Sequence, residues 1–387
     1  MKVLIITAMF PPNRTGTSFY SRNLANAIRQ RGNDVKVITT ANEKANDDDL
    51  SFEVTRIPAW HFPIKSYFKH LRFCSLIPGN YRKILRITRE FKPDAVVLIN
   101  HYLDIAIPAI YATRKARLPL YISVGTQLQS LNPTRNKILR FLDRLIVGNF
   151  IFPFAKRIIS WDKEIERYIT EVHNKKNASK SAIIPFGVNG SIEEFEKYKN
   201  SYEEEKQILG VGAIIDHRDY VYQIQVFSEL VKKYPDLKLK IIGNQYVDKP
   251  MKAAKVLGVE GKVIFTGELP HEQVLEEYKK SVLHWMMLVG EYVGLGTSTL
   301  EAMLMGVPSV SNVPENLFGF GAMRDMENFI HTNANNIKSD VEKLSEVIED
   351  RNLRQKIGQN GKAFIQKYLN WEAVAKQYET MILNDTK

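Results

Sequence analysis

LKLKIIGNQYVDKPMKAAKVLGVEGKVIFTGELPHEQVLEEYKKSVLHWMML, Leu237 to Leu288, alternates short β-branched runs with amphipathic runs of helix length. LKLKIIG, KVIFTG and VLHWMML read as strands, and DKPMKAAKVLG and PHEQVLEEYKK as the helices between them. Apolar strands joined in this way build a parallel sheet with helices on both faces. The alternation continues outward from this stretch. Upstream, QILGVG is a strand and YVYQIQVFSELVKKY a helix; downstream, a glycine-rich turn and a short helix lead into another apolar strand, and the chain is helical from Ile337 onward.

The first half repeats the pattern, with strands expected at KVLIIT, VKVITT, DAVVLIN, LYISV, RIISW and SAIIPF. A helix, Ser18 to Gly32, lies between the first two and closes on a glycine. The polar, mixed-charge stretch from Asn189 to Lys206 breaks the alternation and reads as a linker. The chain of 387 residues exceeds the usual span of one core. Two doubly wound α/β domains are therefore expected, at 1–190 and 207–368, joined by a linker at 191–206 and followed by a helix at 369–387. Such sheets bind ligands at the carboxyl ends of their strands, so two that face each other offer a crevice.

Composition narrows the function classes. Apolar content of 44% and charged content of 25% are those of a soluble globular protein. A single cysteine, Cys74, forms no internal disulfide, which suits a reducing cytosol. The opening MKVLIITAMFPPN reads as a first strand rather than a signal peptide, and the apolar stretch LIVGNFIFPF falls short of the roughly 20 residues that cross a bilayer. The eight histidines have no ligand-like spacing, and Asp47 to Asp49 lie in a polar loop as a solvated turn, so no metal is expected.

The net charge of +11 is unevenly placed. Residues 1–190 hold 30 Lys and Arg against 14 Asp and Glu, whereas the rest hold 24 against 29. Within the basic half, His61 to Phe91 carries seven basic residues and only Glu90 as an acid, interleaved with apolar side chains, and Pro133 to Arg157 repeats the style. Basic residues beside apolar ones suit an anionic membrane surface. An ordinary amphipathic helix with a solvated basic face reads equally well. No helix-turn-helix, RNP-like or zinc-finger signature accompanies the charge, so nucleic acid is not an expected partner.

Two loops carry candidate chemistry. After the first strand comes AMFPPNRTGTS, in which Gly16 lets the backbone approach a ligand at the positive end of the next helix, or simply shapes a capped turn. The G-x-G-x-x-G fingerprint is missing there, which excludes the usual dinucleotide-binding turn. In GLGTSTLEAM, Gly294 and Gly296 permit an unusual backbone path, and Thr297, Ser298 and Thr299 open a helix whose free N–H groups can hold a diphosphate. Ser298-x-x-Glu301 also fits a capping box, in which Glu301 only satisfies the backbone. Two glycines immediately upstream favour the ligand turn.

From these residues the chain resembles the retaining glycosyltransferases of family 4, which have the GT-B fold. MKVLIITAMFPPNRTG with LANAIRQRGNDVKVIT is similar to the family's opening strand, glycine loop and second strand, and IIPFGVN to the segment that closes its first domain. YPDLKLKIIGNQ and VIFTGELPHEQVLEEY match its second-domain core, LEAMLMGVPSV is the most specific match, and NWEAVAKQYETMIL resembles the closing helix. The resemblance implies two Rossmann-like domains facing across a cleft, with the last helix crossing back. It also implies transfer of a sugar from a nucleoside diphosphate to a glycan or lipid-linked acceptor with retained configuration, with no cofactor. Location in the cytoplasm, peripheral on the inner face of the membrane, fits that activity and the charge.

The resemblance also assigns residues. The family's second glutamate, which holds the ribose, falls on Glu301, while the first falls on Val293 and leaves Glu291 as the nearest acid to contact the transferred sugar. In VGAIIDHRDY, Ala213 stands at the family's arginine and Arg218 at its lysine. Gly125 stands at the family's histidine, and His101, after DAVVLIN, is the alternative at the end of a neighbouring strand. Two rival readings remain: a non-catalytic GT-B subunit that partners an active homologue, and a GT-B enzyme of another reaction type, such as an epimerase.

Overall fold

The computed structural model describes every residue except 14, 43–44, 62–71, 101–103, 189–194, 198–205, 290–293, 320–322, 333 and 387. The chain forms two compact units, Met1–Gly187 with Trp371–Lys387, and Val188–Asn370. Each is a parallel sheet with helices on its faces.

In the first unit the strands are β1 (Lys2–Thr7), β2 (Asp34–Thr40), β3 (Glu53–Ile57), a short antiparallel pair β4 (Trp60–His61) and β5 (Arg72–Phe73), then β6 (Ala95–Ile99), β7 (Leu120–Val124), β8 (Arg157–Ser160) and β9 (Ser181–Ile183). Seven of them order as β3-β2-β1-β6-β7-β8-β9, all parallel. β6 and β7 are buried along their whole length, which is why they read as unbroken apolar runs. The helices are α1 (Gly16–Gln30), α2 (Pro78–Phe91), α3 (Ala106–Ala116), α4 (Pro133–Phe150), α5 (Lys163–Val172) and α6 (Lys175–Ala178). α1 and the C-terminal helix Trp371–Thr386 share one core with one face of the sheet, in which the Tyr20 and Tyr378 hydroxyls lie 2.8 Å apart. α2 to α5 pack on the other face.

The second unit has β10 (Gln207–Val211), β11 (Lys238–Ile242), β12 (Val263–Gly267), β13 (Leu283–Trp285), β14 (Ser309–Ser311) and β15 (Ile330–His331), ordered β12-β11-β10-β13-β14-β15 and parallel throughout. Its helices are α7 (Tyr220–Lys233), α8 (Lys249–Val256), α9 (His271–Lys280), α10 (Thr297–Leu304), α11 (Ile337–Glu349) and α12 (Arg351–Tyr368). Strand order reverses between β10 and β13, so the crevice where such sheets bind ligands opens at the carboxyl ends of those two strands.

Three expectations shift. The strand at SAIIPF ends at Ile183, two residues before Pro185, which has no N–H to offer a ladder. β3 was not expected at all; as an edge strand only its last residue is fully buried, and it lacks the apolar run of its neighbours. The linker falls almost wholly outside the described residues; within it Phe195 is buried and Glu196 pairs with Lys362. Among the described residues no helix is long and apolar enough to cross a membrane.

Candidate functional site

At the switch point of the second unit, β10 ends at Val211 and runs into Gly212, whose φ of +144° is one that L side chains rarely adopt. Gly212 donates its N–H to the Ile242 carbonyl at 2.7 Å, and Gly243 approaches so closely that a Cβ there would lie 2.2 Å from the Gly212 oxygen. These two glycines bring the ends of β10 and β11 together. A Cβ on Gly212 itself would lie 1.0 Å from Nη1 of Arg218. The guanidinium therefore occupies the volume that the missing side chain leaves.

Arg218 is held there from several directions. Its Nη1 donates to the Val211 carbonyl at 2.9 Å, and the hydroxyl of Tyr220 donates to the Gly212 carbonyl at 2.9 Å. Arg218 forms an antiparallel bridge with Leu288, flanked by Asp219 N–H to Met287 O at 3.1 Å and Val289 N–H to His217 O at 3.0 Å. Asn312 in turn holds Leu288 through both its backbone groups. Asp219 then caps α7 by accepting the Tyr222 amide at 3.0 Å.

The glycine turn arrives from the other side. Gly296 is the N-cap of α10, in extended backbone and with no side-chain cap. The Ser298 hydroxyl donates to the same Val211 carbonyl at 3.1 Å, and its own carbonyl accepts from the Tyr278 hydroxyl at 2.8 Å. Sharing one acceptor places Arg218 Nη1 and Ser298 Oγ within about 6 Å of each other. The amides of Thr297 and Ser298 have no acceptor within the helix, and the helix dipole adds partial positive charge there. A guanidinium beside a helix N-terminus is an arrangement that can hold a diphosphate.

Glu301 lies one turn along α10, its side chain 10% exposed and its Oε2 3.5 Å from Nε2 of His271, the first residue of α9. Two buried groups feel the site's charges. Burial, and then the negative charge of Glu301, hold the Tyr278 hydroxyl well above its ordinary pKa. Burial, and then the positive charge of Arg218, bring the His284 imidazole down to about 3.

The sequence expectations fare unevenly against this geometry. Arg218, Gly294, Gly296, Thr297, Ser298 and Glu301 belong to the two segments that meet at the switch point. Thr299 does not serve as expected: it is fully buried, its amide donates to the Gly296 carbonyl at 3.0 Å, and its hydroxyl meets His284 Nε2 at 3.2 Å. The capping box also fails to form, because Gly296 and not Ser298 is the N-cap and the serine hydroxyl is spent on Val211. Glu291 and His101 lie outside the described residues.

Gly16 is the exposed first residue of α1, with Thr15 capping that helix through the Ser18 amide at 3.2 Å and open space where a Cβ would project. Gly125 has a physical reason: a Cβ there would lie 2.4 Å from the Trp161 ring. That indole donates to Ser123 Oγ at 2.9 Å and stacks on Tyr20 with ring centroids 4.2 Å apart. Tyr220, Tyr278, His271 and His284 were missed as parts of the site. The signals open to a reader were the glycines directly following QILGV and LKLKII, which mark close backbone approach.

Residues 14–191 match the family Glycosyltransferase Family 4, and residues 191–364 match Glycosyl transferases group 1. The chain belongs to these glycosyltransferases. An uncharacterized glycosyltransferase of Haemophilus influenzae is 25% identical to it over 306 residues, covering 76% of each chain. The α-monoglucosyldiacylglycerol synthase of Streptococcus pneumoniae is 20% identical, over 81% of this glycosyltransferase and 71% of the synthase. Among solved structures, Anabaena HepE in complex with UDP superposes with a TM-score of 0.73 at 15% identity, over 99% of this chain and 100% of that one. The glycosyltransferase thus has the GT-B fold.

Proposed function

We propose that this glycosyltransferase moves a sugar from a nucleoside-diphosphate donor to a glycan or lipid-linked acceptor with retention of anomeric configuration, without a metal or other cofactor. The observation that carries the reading is the meeting of Arg218 and the N-terminus of α10 on one carbonyl, that of Val211, at the switch point of the second sheet. As the glycosidic bond breaks, negative charge grows on the leaving diphosphate. The Arg218 guanidinium and the Thr297 and Ser298 amides are fixed in place before that happens, so they stabilise the charge without reorganising. Glu301, one turn along, accepts hydrogen bonds from the ribose. Retention rests on the family resemblance alone; the UDP bound to a structural neighbour supports the donor class, and the diacylglycerol named in one relative supports a lipid acceptor.

The test is a panel of UDP-, GDP- and TDP-sugars, read first as thermal stabilisation and then as donor hydrolysis and transfer, with the anomeric configuration of the product read by NMR. Glu301→Gln keeps the shape and removes the charge, so it should lower kcat/KM for the best donor about 5- to 30-fold, the difference between a charged and a neutral acceptor. Unchanged kinetics would remove Glu301 from the donor site. A second reading is supported by the indole that fills the space beside Gly125 and by Ala213 at the family's arginine. On that reading the chain is a non-catalytic partner of an active homologue, and no sugar nucleotide in the panel would stabilise it.

A further inference from the structure

α4 carries an apolar stripe on its outer side. Ile138, Phe141, Leu142, Leu145 and Ile146 follow one another at i, i+3, i+4, i+7 and i+8, the spacing of a single helix face, and Phe150 extends it by another turn. All six are between 39 and 67% exposed. The opposite face is the packed one: Val147 lies in the core of the first unit, Gly148 is buried, and Asp143 is buried against the Tyr168 hydroxyl at 2.7 Å and His173 Nε2 at 3.2 Å. The stripe is thus surplus to the folding of α4.

The charge around the stripe has one sign. Asp143 is the only acid between Pro133 and Phe150 and points inward, whereas Arg135, Lys137 and Arg144 are exposed. Arg140, the remaining base, turns toward Glu171 and the Tyr168 ring. A second copy of this chain placed on the stripe would bring Lys137 and Arg144 against their own likeness, with no exposed acid on α4 to pair them. A surface that offers hydrocarbon at one depth and negative headgroups just above it matches both features at once.

We propose that α4 docks the protein on an anionic lipid surface, its apolar stripe entering the acyl boundary while Arg135, Lys137 and Arg144 lie among the headgroups. The placement is independent of which sugar or acceptor the other unit serves, since it concerns α4 alone. The experiment is co-sedimentation of the full chain with vesicles of phosphatidylcholine, and with vesicles of phosphatidylcholine and phosphatidylglycerol in equal parts. Binding is expected to the second kind only and should weaken with salt. Lys137→Gln with Arg144→Gln should lower that binding about 30-fold, at about 1 kcal/mol or roughly fivefold per charge. Phe141→Ser with Leu145→Ser, both on the solvent side, should lower it about tenfold or more while leaving the melting temperature unchanged. Equal binding to both vesicles, or unchanged affinity of the serine variant, would overturn the proposal. So would light scattering that shows a dimer which the serine variant converts to monomer, without vesicle binding by either.

Discussion

Gly212→Ala reads the candidate site most directly. At φ +144° an alanine costs about 1–3 kcal/mol of backbone strain. Its Cβ would also fall 1.0 Å from Arg218 Nη1 and 2.0 Å from Cζ. The guanidinium is the far end of a flexible side chain, so it is the part that must leave. It then loses the Val211 carbonyl at 2.9 Å and its position beside Ser298. A hydrogen bond to a charged group is worth about 1.5–3 kcal/mol, so kcat/KM for the best donor should fall about 10- to 150-fold. Arg218→Ala should fall by a similar factor without the strain and hence without the lowered melting temperature. The assay is a double-mutant cycle read both in donor kinetics and in thermal unfolding. If alanine at 212 acts by evicting Arg218, adding Gly212→Ala to Arg218→Ala should cost little further activity while still lowering stability. Full additivity in the kinetics, or wild-type kinetics in Gly212→Ala, would refute the reasoning.

Two further outcomes concern the cores that carry the units. Gly125→Ala drives a Cβ to 2.4 Å from the Trp161 ring and should destabilise the first unit by about 1–3 kcal/mol in urea unfolding, with Trp161→Leu recovering part of the loss. His284 is held neutral by burial and by Arg218, with its pKa brought from 6.5 to about 3. In the unfolded chain it takes up a proton as the pH drops below 6.5, so its contribution is present above that pH and is lost on the way down. Between pH 7 and pH 5 this amounts to about 2 kcal/mol, a slope that His284→Gln should remove from urea titrations at the two pH values.

Most strands and helices were legible because a doubly wound sheet buries its inner strands on both faces, which writes continuous apolar runs such as AVVLI and LYISV into the sequence. β3 escaped because EVTRI mixes charged and polar side chains with apolar ones and, with only its last residue buried, offers no apolar run. The glycine turn before α10 was legible for the same local reason: glycines next to a helix start can be recognised without knowing what they meet. The capping box was a local reading that lost to a distant one, since the Ser298 hydroxyl found the Val211 carbonyl 87 positions away and had no reason to cap its own helix.

By itself, then, the sequence determined the alternation, the two-sheet plan, the basic bias of the first half and the family, because each is a matter of composition or of neighbours within a few residues. Only the tertiary structure decided that Arg218 fills the place of a missing side chain on Gly212, that Thr299 faces inward to His284, that an indole stands beside Gly125, and that the apolar side of α4 stays outside. The site contacts follow from strand order, which sets β10 beside β13 although some seventy residues separate them, and the indole beside Gly125 from the pairing of β7 with β8. Proximity of that kind comes from sheet topology, and no local pattern encodes it.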